Sequence, residues 1–116
     1  MLFSPADKPD APRNLRALDT DVSHILIGWD APASDGGAPI TAYTVEKKDS
    51  KRNEFLFIAT VDAATGGAEG FRYDATRLFE GNDYTFRVFA ENAAGVGPPC
   101  EMDKPVRAKL PFGEGL

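Results

Sequence analysis

The sequence predicts an all-β protein, a sandwich of two sheets with seven strands in total. Short stretches of alternating apolar and polar residues recur along the chain, with turn signals at intervals of roughly 8 to 12 residues. Nine Pro and eleven Gly among 116 residues supply those turns. No stretch has the period of about 3.6 residues that a helix requires. These observations favour a β-sandwich over a barrel or an α/β fold.

The length allows one domain with a real core and is too short for two ordinary domains. The first dozen residues hold three prolines and show no periodicity. We therefore expect a linker at residues 1–8, one domain at 9–110 and a second linker at 111–116. Phe3 and Phe112 lie near prolines in these linkers, which indicates stiff joints to neighbouring modules.

The first two predicted strands are Asn14 to Leu18 and Ser23 to Trp29. Side chains alternate between the two faces of a strand, so Ile25, Ile27 and Trp29 share one face and form the expected core. The opposite face carries His24, Leu26 and Gly28.

Three more strands are predicted in the middle of the chain: Ile40 to Lys48, Phe55 to Val61 and Phe71 to Thr76. A turn at residues 34–39, Ser-Asp-Gly-Gly-Ala-Pro, precedes the first of them, and its glycines permit positive φ angles. Within that strand Tyr43 and Val45 are expected to point inward. A loose glycine-rich turn at residues 65–70 precedes the last of the three.

The stretch from Tyr84 to Asn92 predicts the longest strand. Its inward face is expected to carry Tyr84, Phe86, Val88 and Ala90. Tyr84 follows a predicted crossover between the sheets at residues 78–82. A tyrosine placed there hydrogen-bonds to the backbone upstream and fixes the crossover, an arrangement called a tyrosine corner.

The segment after this strand predicts a bend and then an edge strand. Gly95-Val96-Gly97 lacks the third glycine and the following helix of a phosphate-binding loop. Asn92 is expected to cap the bend. The proline-rich residues 98–109 fit only an edge, because proline has no amide to donate in a ladder. An odd number of strands sends the chain in at one pole of the sandwich and out at the other.

Few residues in the sequence are of the types and spacings that support catalysis or metal binding. Ser23 and the only histidine, His24, are strand neighbours on opposite faces, so they form no catalytic pair, and His24 is expected to be exposed. Asp19 and Asp21 lack the further oxygen ligands of a calcium site. A basic cluster is either a solvated turn or a surface for an acidic partner; it comprises Lys47, Lys48, Lys51 and Arg52. We expect no catalytic residue, no metal and no cofactor.

Charge and cysteine content exclude several partner classes. A formal net charge of −5 repels phosphate backbones, so nucleic acid is not an expected partner. The single cysteine, Cys100, cannot form an intrachain disulfide, which favours a reducing compartment. No apolar run approaches the roughly 20 residues of a membrane helix. We expect a cytoplasmic domain that is monomeric and makes no membrane contact.

Two motifs resemble the fibronectin type III family, an immunoglobulin-like β-sandwich. The first is Asp-Gly-Gly-Ala-Pro-Ile at residues 35–40 with Tyr-Thr-Val-Glu at 43–46. The second is Ala-Glu-Asn at 90–92 with Gly-Val-Gly-Pro-Pro at 95–99. Trp29, followed by Asp-Ala-Pro, and Tyr84 match the same family. Together they resemble the subtype found in titin, twitchin and related giant sarcomeric proteins. Residues 63–70 are longer and richer in glycine than expected, and Cys100 stands where serine is common.

This resemblance implies a non-catalytic module of a large intracellular muscle protein, which acts as a spacer, bears tension and presents a binding surface. The implied partners are neighbouring immunoglobulin-like or type III modules and the myosin thick filament. The residues expected to hold the fold are Trp29, Tyr43, Leu78, Tyr84 and Val88.

The candidate interaction surface lies on the solvent side of the longest strand and comprises Arg87, Phe89 and Glu91. The alternative is an extracellular adhesion or receptor module that binds a ligand through its loops. The sequence holds no Arg-Gly-Asp tripeptide and no Asn-linked glycosylation site, which weighs against that alternative.

Overall fold

A computed structural model describes residues 5–111, which form eight β-strands in two antiparallel sheets. The strands are β1 Arg13–Thr20, β2 Ile25–Asp30, β3 Ala42–Asp49, β4 Phe55–Asp62, β5 Phe71–Ala75, β6 Asp83–Asn92, β7 Gly95–Glu101 and β8 Val106–Arg107. A short 3-10 turn, Ala63–Thr65, follows β4. The smaller sheet has the order β1-β2-β5, and the larger has the order β4-β3-β6-β7 with β8 also on β6. The predicted all-β sandwich is confirmed.

The described residues contain one strand more than the seven predicted, because the last segment is divided. β7 and β8 both pair antiparallel with β6, so they run in the same direction along it. Pro105, which has no amide to donate, lies in the gap between them. β8 therefore continues the edge that β7 begins and does not reverse the chain.

The chain enters and leaves the sandwich at opposite poles. At the N-terminal pole, the amide of Asp7 donates to the carbonyl of Gly36 at 2.9 Å, so this part of the predicted linker packs on the domain. β6 ends at that pole, where Glu91 pairs with Ala42. At the C-terminal pole, where β6 begins, the amide of Ala108 donates to the carbonyl of Asn82 at 3.0 Å. The rest of the predicted linkers, with Phe3 and Phe112, lies largely outside the described residues.

The core is an aromatic cluster that joins the two sheets. Trp29 on β2 has 0% of its surface exposed, and its ring centroid lies 5.6 Å from that of Tyr43 on β3. Phe71 on β5 stacks on Trp29 at 6.0 Å and contacts Tyr43 at 4.5 Å. Burying an aromatic ring this fully makes truncation to alanine cost about 3–5 kcal/mol.

The glycine-rich stretch after β4 is not the loose turn that the sequence predicts, because it closes over Phe71. A side chain at Gly66 would collide with the Phe71 ring. Gly70 has a φ of +84°, and a Cβ there would lie 2.6 Å from the carbonyl oxygen of Trp29. Both glycines therefore let the loop approach the aromatic cluster more closely than a larger residue allows.

A tyrosine corner lies at the C-terminal pole, as predicted. The hydroxyl of Tyr84 accepts a hydrogen bond of 2.8 Å from the backbone amide of Phe79. Leu78, next to it, is buried, and its amide donates to the carbonyl of Ser23 at 2.9 Å. These bonds fix the crossover from the smaller sheet to β6.

Tyr84 and Tyr43 form a matched pair for testing the corner. The buried Tyr43 hydroxyl has no hydrogen-bond partner within residues 5–111, and burial raises its pKa above the usual value. Tyr84→Phe should lower the free energy of unfolding by about 1–2 kcal/mol, because it leaves the Phe79 amide unpaired. Tyr43→Phe removes the same atom without breaking a bond, so it should change stability by less than about 0.5 kcal/mol or raise it. Urea unfolding measures both, and equal losses would contradict the assignment.

Candidate protein-interaction surface

The outer face of the larger sheet gathers side chains from three neighbouring strands. Arg87 on β6 lies opposite Glu46 on β3, and Phe89 follows Arg87 on the same face. Phe55 on β4 lies opposite Lys48 on β3. We call Phe55, Arg87 and Phe89 the aromatic–arginine patch. Register places all three on one face, because residues directly opposite in an antiparallel pair point the same way.

The guanidinium of Arg87 lies between two aromatic rings. Its central carbon is 3.9 Å from the ring centroid of Phe55 and 5.2 Å from that of Phe89. Stacking of this kind contributes about 0.5–2 kcal/mol, more where water is excluded. The patch is therefore a preformed group of residue types that are enriched at the centres of protein interfaces.

An ion pair holds Arg87 in place. Its Nε donates to Oε1 of Glu46 at 2.7 Å, and both side chains are less than a third exposed. A guanidinium carries five N–H donors, and this bond uses one. Arg87 lies on the outer face, so its other donors are available to carbonyl or carboxylate oxygens of another protein.

The structure places all three predicted surface residues on the outer face of β6. Arg87 and Phe89 belong to the patch and are half-buried, so neighbouring side chains partly cover Phe89. Glu91 lies two residues further along β6, towards the N-terminal pole, where it pairs with Val96. Phe55, which the sequence did not single out, completes the group. The registers of β4 and of β6 on β3 together bring Phe55 to Arg87, so no local sequence signal could reveal it.

The residues expected to hold the fold are all buried. Each has 5% or less of its surface exposed; they are Trp29, Tyr43, Leu78, Tyr84 and Val88. None of them reaches the outer face, so they position the patch and do not form part of it.

The sheet divides the predicted basic cluster at Lys47 and Lys48. Lys47 and Lys48 are neighbours on β3 and therefore point to opposite faces. The ammonium of Lys47 lies 5.8 Å from the ring centroid of Tyr84, on the inner side. That of Lys48 lies 5.0 Å from Phe55, beside the patch. Consecutive lysines on a strand cannot combine their charges for one acidic partner.

A buried asparagine closes the N-terminal pole. The side-chain amide of Asn92 donates to the carbonyls of Asp7 and Asp35, both at 2.7 Å. Its oxygen accepts from the amide of Ala94 at 2.8 Å, so it also caps the bend, as predicted. The bonds to Asp7 and Asp35 span 85 and 57 residues and have no local sequence signal. The turns at this pole are thus held by the protein's own N-terminal segment.

His24 is not the freely exposed histidine that the sequence predicts. Nδ1 lies 3.0 Å from a carboxylate oxygen of Asp74, and Nε2 lies 3.2 Å from one of Asp21. About a third of the side chain, 34%, is exposed. The hydrogen bond to Asp74 is the main cause that raises the pKa of His24 above its usual value. Asp74 is far away in sequence, so only the pairing of β2 with β5 brings it near.

This arrangement predicts a pH-dependent stability. Protonated His24 bonds to two carboxylates in the folded protein and to none when unfolded. The stabilisation from these two bonds is therefore complete below the pKa of His24 in the unfolded chain, about 6.5. It is lost as the pH rises through the higher pKa of His24 in the folded protein. The free energy of unfolding should fall between about pH 6 and pH 8. Chemical denaturation across this range should show a smaller fall for His24→Gln, and an unchanged pH profile would contradict the prediction.

Two classes of site are absent from the described part of the chain. Residues 5–111 contain no cluster of three or more His, Cys, Asp or Glu side chains suited to a metal ion. None of their helical segments has the length and apolar character needed to span a membrane.

Comparison with known proteins places this chain among modules of large proteins. The sequence profile of the family described as "Fibronectin type III domain" matches residues 10–102. Titin of Drosophila melanogaster is 38% identical over 92 residues, which cover 79% of this chain and 0% of titin to the nearest per cent. Human fast-type myosin-binding protein C is 36% identical over 112 residues, covering 95% of this chain and 9% of that protein. The chain thus spans a small part of these curated relatives.

Solved structures agree. Domains A168–A170 of titin match with a TM-score of 0.78 at 36% identity, covering 90% of this chain and 33% of that one. The twitchin kinase region of Caenorhabditis elegans matches with a TM-score of 0.77 at 28% identity, covering 89% of this chain and 17% of that one. Sequence profile, curated relatives and structures agree on one assignment: the chain belongs to the fibronectin type III family.

Proposed function

We propose that this chain is a non-catalytic module of a larger muscle protein, where it acts as a spacer, bears tension and presents a binding surface in the sarcomere. The observation that carries this proposal is its similarity to titin and myosin-binding protein C, at 38% and 36% identity over most of its length. The proposal includes a cytoplasmic location and flanking immunoglobulin-like or type III modules, and the similarity to the same relatives supports it.

The geometry of the two poles supports the spacer role. The chain passes from one pole to the other, so modules joined in series extend as a string instead of folding back. Tension applied to both ends acts along the strands. The bonds of Asp7 to Gly36 and Asn92 hold the first described residues against the domain, so load reaches the sandwich close to the pole.

The aromatic–arginine patch is the proposed binding surface, with Glu91 at its margin. The partner we propose is the myosin thick filament, in line with the name of the myosin-binding relatives. The patch supplies aromatic surface and unused guanidinium donors, a combination that serves an apolar partner with carbonyl or carboxylate groups. The extracellular alternative requires loops that are free to bind a ligand. The turns of the N-terminal pole fit that role less well than the patch does, because Asn92 and Asp7 already bond to each other there.

Cosedimentation with myosin filaments tests this proposal. Several linked copies of the chain should be used, because multivalency makes weak contacts measurable. Phe89→Ala should weaken binding by roughly tenfold, since it removes one ring of the stack. The matched control is Leu18→Ala, which removes an exposed apolar side chain that lies over Gly28 on the other sheet. Thermal unfolding checks that both variants fold. Absence of binding by the wild-type array, or equal losses in both variants, would refute the proposal.

A further inference from the structure

A small cavity opens at the C-terminal pole, on the inner side of the larger sheet. Its apolar walls are Leu56 on β4, Phe79 on the crossover at residues 78–82 and the ring of Tyr84 on β6. The volume of the cavity is about 160 Å³. A cavity of about 150 Å³ with apolar walls is large enough to hold a benzene molecule. This cavity therefore has the size of one phenyl ring.

Two walls of the cavity are large apolar side chains that the domain leaves partly uncovered. Leu56 is 37% exposed and Phe79 is 71% exposed. Aromatic rings that pack edge to face or offset against each other contribute beyond the area that they bury. A phenyl ring in the cavity would contact the rings of Phe79 and Tyr84 as well as the Leu56 side chain, so it would cover the apolar surface that is exposed there.

The charges around the cavity balance one another. The cavity is also lined by two basic and two acidic side chains, which are Lys47, Arg52, Asp49 and Glu54. The carboxylate of Asp49 already accepts a hydrogen bond of 3.2 Å from the side-chain amide of Asn82. Net charge therefore neither attracts nor repels an occupant, and apolar contact decides what binds.

The chain leaves the domain beside this cavity. The amide of Ala108 donates to the carbonyl of Asn82 at 3.0 Å, and the carbonyl of Ala108 accepts from the amide of Gly81 at 2.9 Å. The amide of Asn82 donates to the carbonyl of Phe79 at 3.1 Å, which closes a tight turn. The segment that leaves the domain is thus bonded to the crossover that supplies a wall of the cavity.

The segment after Ala108 is long enough to bring an aromatic ring to the cavity. The described residues end at Pro111, and the next residue in the sequence is Phe112. Directly paired residues lie about 5 Å apart, and the ends of a tight turn lie less than about 7 Å apart, so Phe79 is close to Ala108. Four extended residues span about 13 Å. Phe112 is therefore within reach of Phe79.

We propose that Phe112 inserts its ring into this cavity, between Leu56 and Phe79. The short connection to Ala108 keeps the ring at a high effective concentration, so a modest contact is sufficient. A ring held there fixes the direction in which the chain leaves the pole. The consequence for a stiff joint to the next module rests on the proposed function. The docking itself does not, since it concerns this chain alone.

NMR spectroscopy of the 116-residue chain tests the proposal. The Phe112 ring should show nuclear Overhauser contacts to the Leu56 methyl groups, and the order parameter of its amide should exceed about 0.6. Phe112→Ala should shift the Leu56 and Phe79 signals. Phe3→Ala is the matched control and should leave both signals unchanged. Phe3 precedes Asp7, which bonds to Asn92, and the ten residues of β6 place that bond about 30 Å from the cavity.

Leu56→Lys gives a second test that leaves the ring itself unchanged. It replaces an apolar wall by a charge, so the order parameter of the Phe112 amide should fall below about 0.6. Phe57→Lys is the control, because Phe57 is the next residue on β4, is 63% exposed and does not line the cavity. Thermal unfolding confirms that each variant is folded.

Three results would overturn the proposal. The first is a wild-type chain without contacts between Phe112 and Leu56. The second is an equal effect of either variant and its control. The third is a set of contacts that grows with protein concentration, because it would assign the ring to a second copy of the chain.

Discussion

The packing of Trp29 between the two sheets is the interaction on which the rest of the structure depends. The indole comes from β2, and its neighbours Tyr43 and Phe71 come from β3 and β5, so one cluster fixes how the sheets face each other. A truncation cost of about 3–5 kcal/mol is a large share of the 5–15 kcal/mol that stabilises a typical domain. The positions of the poles, the patch and the β4 edge all follow from this sheet arrangement.

Both poles of the sandwich are closed by the protein's own hydrogen bonds. At the C-terminal pole the Tyr84 hydroxyl accepts from Phe79, and at the N-terminal pole Asn92 donates to Asp7 and Asp35. Loops used in this way have few free groups for a ligand. The outer face of the larger sheet is free of these bonds. Under the proposed function, a module of this design connects through its ends and binds through its sides.

Alternation along single strands made most of the core predictable. It placed Ile25, Ile27 and Trp29 inside, and the same rule held along the whole of β6. The tyrosine corner was predictable because Tyr84 and Phe79 are five residues apart. Each of these features depends on local sequence or on the period of one strand.

Features that depend on register between distant strands could not be predicted. The contact of His24 with Asp74 arises only after β2 meets β5, and that of Arg87 with Phe55 only after β4 and β6 both meet β3. The closure of the loop over Phe71 through Gly66 is of the same kind. In each case the residue type was visible in the sequence, but its partner was not. The division of the last edge into β7 and β8 likewise depends on register, because the two strands pair with different parts of β6.

The fluorescence of the single tryptophan tests the central packing claim most directly. Trp29 is fully buried against aromatic rings, so its emission in the folded protein should lie at shorter wavelength than in urea. Acrylamide should quench it only weakly until the protein unfolds. A folded protein whose indole emits at the unfolded wavelength and is quenched as readily as in urea would contradict the account.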